Sequence, residues 1–332
     1  MASKQKIAAP VDLGNLRPQS LAEYIGQKNA SDTLRIFLDA VNKRGYATEH
    51  ILLYGPPGIG KTTLAHIIAH ELHGEIKITS GAAIQKGGDL AAILTNLKDN
   101  DILFIDEIHR LPKPVEEMLY PVIEDYSLDI IIGKGPSART LRLPVPKITI
   151  VGATTKLALL SAPLRDRFGL LMRLDYYTIE DMITIIQRAS RVLGIELGAS
   201  HAKEVANRAR RTPRIANRIL KRIRDFIEVG NHITIQPALL ESVFTLLGID
   251  SLGLTEIDRS YMMCLGERFQ NNPTGVETLA SSLSEDVRTV EEFIEPYLLQ
   301  IGFLKKTTRG RMLTPKALRH IGLETVSQQK LI

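Results

Sequence analysis

The chain has 332 residues, 44% of them hydrophobic, a single cysteine, and a formal net charge of +5 with a pI near 9.2. That length exceeds one ordinary core and suggests two or three domains, while the lone Cys264 excludes a disulfide framework and a cysteine-rich zinc site. The mild basicity permits a polyanionic partner without requiring one. No run of about 18 apolar residues occurs and Met1 to Pro10 lacks a signal-peptide core, so a cytoplasmic protein with no membrane partner is expected.

Met1 to Asn15 reads as a tail. Leu16-Arg17-Pro18 and Leu21 to Gln27, which includes Tyr24 and Ile25, form an arm ahead of an amphipathic helix marked by Leu34, Phe37, Leu38 and Val41. His50 to Tyr54 is then short and apolar, like a buried parallel strand. The next eight residues, Gly55-Pro56-Pro57-Gly58-Ile59-Gly60-Lys61-Thr62, fit the phosphate-binding pattern G-x-x-x-x-G-K-[ST] without a mismatch. Leu64, Ile67, Ile68 and Leu72 follow on one helical face. Strand, glycine loop and helix is the setting such a loop requires. Glycines such as Gly58 and Gly60 let backbone N–H groups turn inward on the phosphates of ATP, and the helix N-terminus adds partial positive charge. Lys61 reaches the β- and γ-phosphates, the Thr62 hydroxyl ligates Mg²⁺, and Thr63 falls near the α-phosphate.

A second buried strand, Ile102 to Ile105, ends in Asp106-Glu107. Ligands of parallel α/β sheets bind at the carboxyl ends of strands, so Asp106 is expected to hold Mg²⁺ and Glu107 to polarise the attacking water. Residues 128–146 read as a hairpin inserted in the same domain, two β-prone runs about a Gly/Pro/Ser turn. A third strand, Lys147 to Val151, leads to Thr154 and Thr155. Thr154 is the preferred hydroxyl for sensing the γ-phosphate and Thr155 the weaker one, with a turn or cap as the competing reading. Ser161 to Gly169 places Arg165 and Arg167 in a loop-like stretch.

Helical patterns dominate from Ile179 to Leu247. There Thr212 can cap, Pro213 suits the first turn, and Arg214 stands at a helix start. From Gly253 the pattern is helix, turn, helix and short hairpin, that of a winged helix. Its second helix carries Glu285, Asp286, Glu291, Glu292 and Glu295 against Arg288 alone, so base reading by that helix is rejected. Lys305, Lys306, Arg309, Arg311, Lys316 and Arg319 lie in and after the wing, with no acid between Phe303 and Arg319. Phosphate contact without base readout predicts weak sequence preference and strong salt dependence.

Phosphate loop, Asp-Glu strand, threonine strand and paired arginines together resemble the AAA+ ATPases. With Asp-Glu-Ile-His-Arg-Leu, Gly-Ala-Thr-Thr, Leu-Arg-Asp-Arg-Phe-Gly and Thr-Pro-Arg-Ile-Ala-Asn-Arg, the chain is similar from Leu16 to about Gly322 to one branch, the RuvB family of bacterial Holliday-junction branch-migration motors. The resemblance implies an α/β fold with three parts: a P-loop AAA+ domain with parallel sheet and N-terminal arm over 1–180, an all-α lid over 181–252, and a C-terminal winged helix over 253–332. It makes Arg167 a finger acting in the neighbouring subunit's ATP site, with Arg165 beside it. Arg214 becomes a γ-phosphate contact from the lid, and Leu16, Arg17, Tyr24, Ile25 and Tyr177 become nucleotide contacts. Lys306, Arg309 and Arg311 become backbone-contacting wing residues, although Lys306 stands where arginine is more usual, which weakens bidentate contact but keeps the charge. It further implies a homo-hexamer around duplex DNA at four-way junctions, loaded by RuvA through the 128–146 hairpin, with RuvC in a larger complex. The rival class is an ATP-switched, initiator-like DNA-binding protein with an appended winged helix.

Overall fold

Short runs of Ile, Leu and Val fold here as parallel strands because both faces of the sheet are covered, which calls for near-continuous apolar sequence rather than alternation. The computed structural model describes residues 16–45, 49–132, 139–230 and 235–323; the expected tail and the 133–138 hairpin tip lie outside them. The strands are β1 (Ile51–Tyr54), β2 (Ile76–Ser80), β3 (Ile102–Asp106), β4 (Ser127–Ile132), β5 (Arg139–Pro144), β6 (Thr149–Thr154) and β7 (Leu170–Arg173). Five form one parallel sheet in the order β2-β3-β6-β1-β7. Because β6 lies between β1 and β3, the loop after β1, the acids ending β3 and the threonines ending β6 share one edge. The register sets Tyr54 opposite Thr154 and Ile105 opposite Gly152.

Leu52, Leu103, Ile105 and Ile150 are fully buried and join Val115, Leu119 and Val122 of helix Lys113–Asp125 in one core. Strands β4 and β5 pair antiparallel from Ser127 opposite Pro144 to Ile132 opposite Arg139, as the hairpin reading requires. Leu141 is exposed on it.

The described residues divide into two compact units, one drawn from Met1–Lys203 and Arg211–Arg224, the other from Glu204–Arg210 and Asp225–Ile332. The segment 181–252 is therefore shared between them. In the second unit, helices Glu256–Met263 and Val276–Leu283 precede a helical run from Val287 to Gln300. Strands β8 (Leu304–Thr307) and β9 (Gly310–Leu313) then form the wing, and Tyr261, Leu279, Ile294, Leu298 and Phe303 fill the core. This is the winged helix anticipated from the sequence.

Candidate active site

Gly55 sits at φ +145°, and a Cβ there would come within 2.1 Å of the Leu174 carbonyl oxygen, so the first turn of the loop accepts only glycine. Gly58, at φ +80°, faces the Arg214 side chain, and the Arg214 N–H lies 3.4 Å from the Gly58 carbonyl. Helix Lys61–Glu71 starts immediately after the loop. Lys61 is buried and its Nζ donates to the carbonyls of Gly55 and Pro56, each at 2.8 Å. Burial pushes its pKa down, and Glu107 and Asp106 oppose this without cancelling it.

A cleft of about 550 Å³ opens beside the loop. Of the residues expected from sequence, Leu16, Arg17, Gly58, Gly60, Lys61, Thr62, Thr63, Asp106, Glu107 and Arg214 all line it. Tyr24, Ile25 and Tyr177 line an adjoining recess together with Leu16, Arg17, Gly60 and Thr63. The Tyr177 hydroxyl donates to the Ile59 carbonyl at 3.1 Å and lies 3.3 Å from that of Tyr24; burial raises both phenol pKa values. Arg188, missed from sequence, holds the arm in place. It donates to the Leu16 and Arg17 carbonyls at 3.1 and 3.2 Å and pairs with Glu23 at 2.9 Å.

At the end of β3, the Asp106 Oδ1 accepts the Glu107 N–H at 3.0 Å, and Glu107 itself stands at φ +46°. A non-glycine residue in the left-handed region stores strain, a common mark of functional positions. The Glu107 carboxylate accepts the Thr155 hydroxyl at 3.0 Å and faces His109 Nδ1 at 3.2 Å. The two threonines of the strand end take different places. Thr154 is fully buried, its hydroxyl bonded to His109 Nδ1 at 2.8 Å and accepting the Lys156 N–H at 3.0 Å, whereas Thr155 lines the cleft. Successive residues at a strand end point to opposite sides, and nothing local in Gly-Ala-Thr-Thr tells which threonine faces the ligand.

Arg167 is not among the residues lining this cleft. Its guanidinium stacks 4.3 Å over the Tyr120 ring, its Nη1 donates to the Pro163 carbonyl at 2.8 Å, and its Nε lies 3.1 Å from a Glu124 carboxylate oxygen without the N–H being aimed at it. Arg165 pairs only loosely with its neighbour Asp166, at 3.5 Å.

Three family models match the chain. The P-loop domain of the Holliday junction DNA helicase RuvB covers residues 16–174, the RuvB AAA lid domain 177–250, and the RuvB C-terminal winged helix domain 251–322. The chain belongs to the RuvB family. The solved Thermotoga maritima RuvB Holliday junction branch migration motor is 45% identical, with 93% of this chain and 99% of that chain covered and a TM-score of 0.82. A lysine-to-arginine variant of the same RuvB gives 46%, 94%, 99% and 0.84. As a RuvB-family member the chain is a P-loop ATPase and helicase of Holliday junction branch migration. Among the described residues no helix is long and apolar enough to cross a membrane.

In the RuvB winged helix, the acidic second helix does not present all its carboxylates outward. Glu295 is fully buried and faces the wing, accepting hydrogen bonds from Arg311 Nε at 2.8 Å and the Tyr261 hydroxyl at 3.1 Å and pairing with Lys306 Nζ at 2.6 Å; Arg311 also reaches Glu291 at 2.8 Å. Of the five acids on that helix, Glu295 is thus buried against the basic wing strand, while Glu291 stays exposed and pairs with Arg311 from outside. Burial alone would push the Glu295 pKa up, but Arg311 and Lys306 outweigh it and hold the carboxyl below its usual range. Lys305 and Arg309 are exposed.

Proposed function

We propose that the chain works as a subunit of a ring-shaped, cytoplasmic, ATP-driven DNA translocase whose ATP sites are completed in trans, built from a large ATPase domain over 1–180, a lid over 181–252 and a winged helix over 253–332. One observation carries this reading: Lys61, Thr62, Asp106, Glu107, Thr155 and Arg214 converge on one cleft while Arg167 stands apart from it. Lys61 and the loop N–H groups bind the phosphates, exchanging the lysine's backbone carbonyl partners for phosphate oxygens. Glu107 orients and polarises water, and Thr155, which holds Glu107 in this structure, senses the γ-phosphate through the same hydroxyl. Arg214 reads the γ-phosphate from the start of its helix. Leu16, Arg17, Tyr24, Ile25 and Tyr177 enclose the base side. Arg167 serves the neighbour's site, where a guanidinium stabilises charge on the transferring phosphoryl group, worth about 10³ to 10⁵ in rate in GTPases.

The donor set suits Mg²⁺. Thr62 and Asp106 offer hard oxygens beside the phosphate loop, and among the described residues no group of three or more His, Cys, Asp or Glu side chains forms a cage of its own, which fits an ion bound largely through substrate phosphates. When bound, Mg²⁺ neutralises charge between the β- and γ-phosphates.

The winged helix tracks duplex DNA by phosphate contact through Lys306, Arg309 and Arg311, of which Lys306 and Arg309 are exposed. The β4–β5 hairpin docks RuvA, and the homo-hexamer joins RuvC in a larger assembly. Incubating the protein with ATP, Mg²⁺, RuvA and a synthetic four-way junction should yield duplex products, and static binding without products would overturn the motor reading. Arg167→Ala subunits mixed with wild type should depress ATPase activity more than in proportion. Strictly additive activity would remove the trans assignment.

A further inference from the structure

The stretch that carries Arg167 is short, and its placement depends on one helix. Ser161 caps Ala162–Asp166 by accepting the Leu164 N–H at 3.2 Å, and Arg167 follows as the last residue of that turn. The Ser161 hydroxyl in turn donates to Glu116, a buried carboxylate. The same Glu116 oxygen accepts the Tyr120 hydroxyl at 2.9 Å, and Tyr120 and Ser161 hydroxyls stand 3.3 Å apart. Tyr120 is thus fixed at its hydroxyl end by the groups that cap the arginine's own turn, while its ring face carries the Arg167 guanidinium. A guanidinium held over an aromatic face spends none of its N–H groups on the ring.

We propose that Tyr120 is the positioning residue for Arg167, its ring face carrying the guanidinium while Glu116 and Ser161 hold its hydroxyl end. Arginine is a long side chain with large rotamer entropy, and a finger that must meet phosphoryl oxygens in another subunit gains rate when that freedom is removed beforehand. Glu124 supplies only nearby charge, since the Arg167 Nε–H is not aimed at it. The proposal rests on the reading of Arg167 as a trans-acting finger.

The test is steady-state ATP hydrolysis with duplex DNA by full-length wild type, Tyr120→Leu, Tyr120→Phe, Arg167→Ala and the double variant Tyr120→Leu/Arg167→Ala. Tyr120→Leu should lower kcat by roughly ten- to a hundredfold, the scale of an ångström misplacement, with KM for ATP unchanged. Tyr120→Phe, which keeps the ring, should restore most of the rate. The double variant should be no slower than Arg167→Ala. A defect delivered in trans must also be complemented. Lys61→Ala subunits, dead at their own site but with an intact finger, should raise the activity of Tyr120→Leu subunits in mixed rings above the sum of the two, which misfolded Tyr120→Leu protein could not show. Wild-type kcat in Tyr120→Leu, an additive loss in the double variant, equal loss in Tyr120→Phe, or no complementation would each overturn the proposal. Loss in Arg167→Ala with none in Tyr120→Leu removes the support role alone. An unimpaired Arg167→Ala removes the finger reading and the proposal with it.

Discussion

In the phosphate cleft, Lys61 leans on two backbone carbonyls, whereas in the wing Lys306 and Arg311 share the buried carboxylate of Glu295. Both regions gather cations, but the partners differ in kind. A carbonyl dipole gives way readily to a doubly charged phosphate, so Lys61 can transfer to a ligand at small cost. A desolvated carboxylate gives way only by leaving a charge buried and unpaired. Positive charge held by a weak partner therefore passes to a ligand more readily than positive charge held by a buried carboxylate.

The largest effect that sharpens this contrast is on chemistry. Lys61→Ala should cut ATP hydrolysis by on the order of a thousandfold, read as phosphate release; a variant that keeps a tenth of the rate would break the cleft reading. Next comes stability in the wing. Glu295→Gln leaves Arg311 and Lys306 without the buried anion they share, with Glu291 still on Arg311, and should destabilise the winged helix by about 2 to 4 kcal/mol, seen as faster hydrogen exchange over β8 and β9. A loss below about 1 kcal/mol would equate the cluster with an ordinary surface pair.

Acid should separate the two regions by pH window. His50, buried with Nδ1 accepting the Ile150 N–H at 2.9 Å and Nε2 on the Ile123 carbonyl, has its pKa pushed down by burial to about 4. The unfolded chain takes up a proton near pH 6.5 and the folded one does not, so the ATPase unit loses stability as pH falls from 6.5 towards 4, by up to about 3 kcal/mol. Glu295 has its pKa lowered, so its contribution is complete above about 4.5 and lost only as pH falls further. Hydrogen exchange at pH 5 should show β1 and β6 loosened and the wing intact; the reverse order would contradict both assignments.

Smaller effects divide the two threonines. Thr154→Val should cost about 1 to 3 kcal/mol of stability by removing the buried hydroxyl that bonds His109 and accepts the Lys156 N–H, whereas Thr155→Val should leave the melting temperature near wild type and lower hydrolysis. The smallest concerns DNA. Lys305→Ala, at an exposed site, should reduce the magnitude of the salt slope of duplex binding by about 0.9 with no change in stability, and an unchanged slope would place Lys305 away from phosphate.

The architecture was legible because its signals are local: apolar runs of strand length, a glycine loop between strand and helix, and turn residues about the hairpin and the wing. The nucleotide site was legible for the same reason, since Lys61 through Thr63 are consecutive and the Asp106-Glu107 pair ends a strand. What stayed hidden depends on contacts distant in sequence. Glu295 looked like one more outward acid until the fold set it under Arg311, and Thr154 and Thr155 differ only in which side of a strand end they take. Arg188 and Tyr120 carried no motif at all; their roles exist only once the arm and the arginine turn are packed against them.

Helix Lys113–Asp125 ends where the hairpin begins. Tyr126 turns the chain into β4, its carbonyl accepting the Val145 N–H at 2.8 Å, and Arg142 of β5 pairs with Asp125 at 3.3 Å. The rod that supports Arg167 through Tyr120 is thus also the stem of the hairpin. Under the proposed docking of the hairpin and the proposed trans role of Arg167, this one helix would join the two functions.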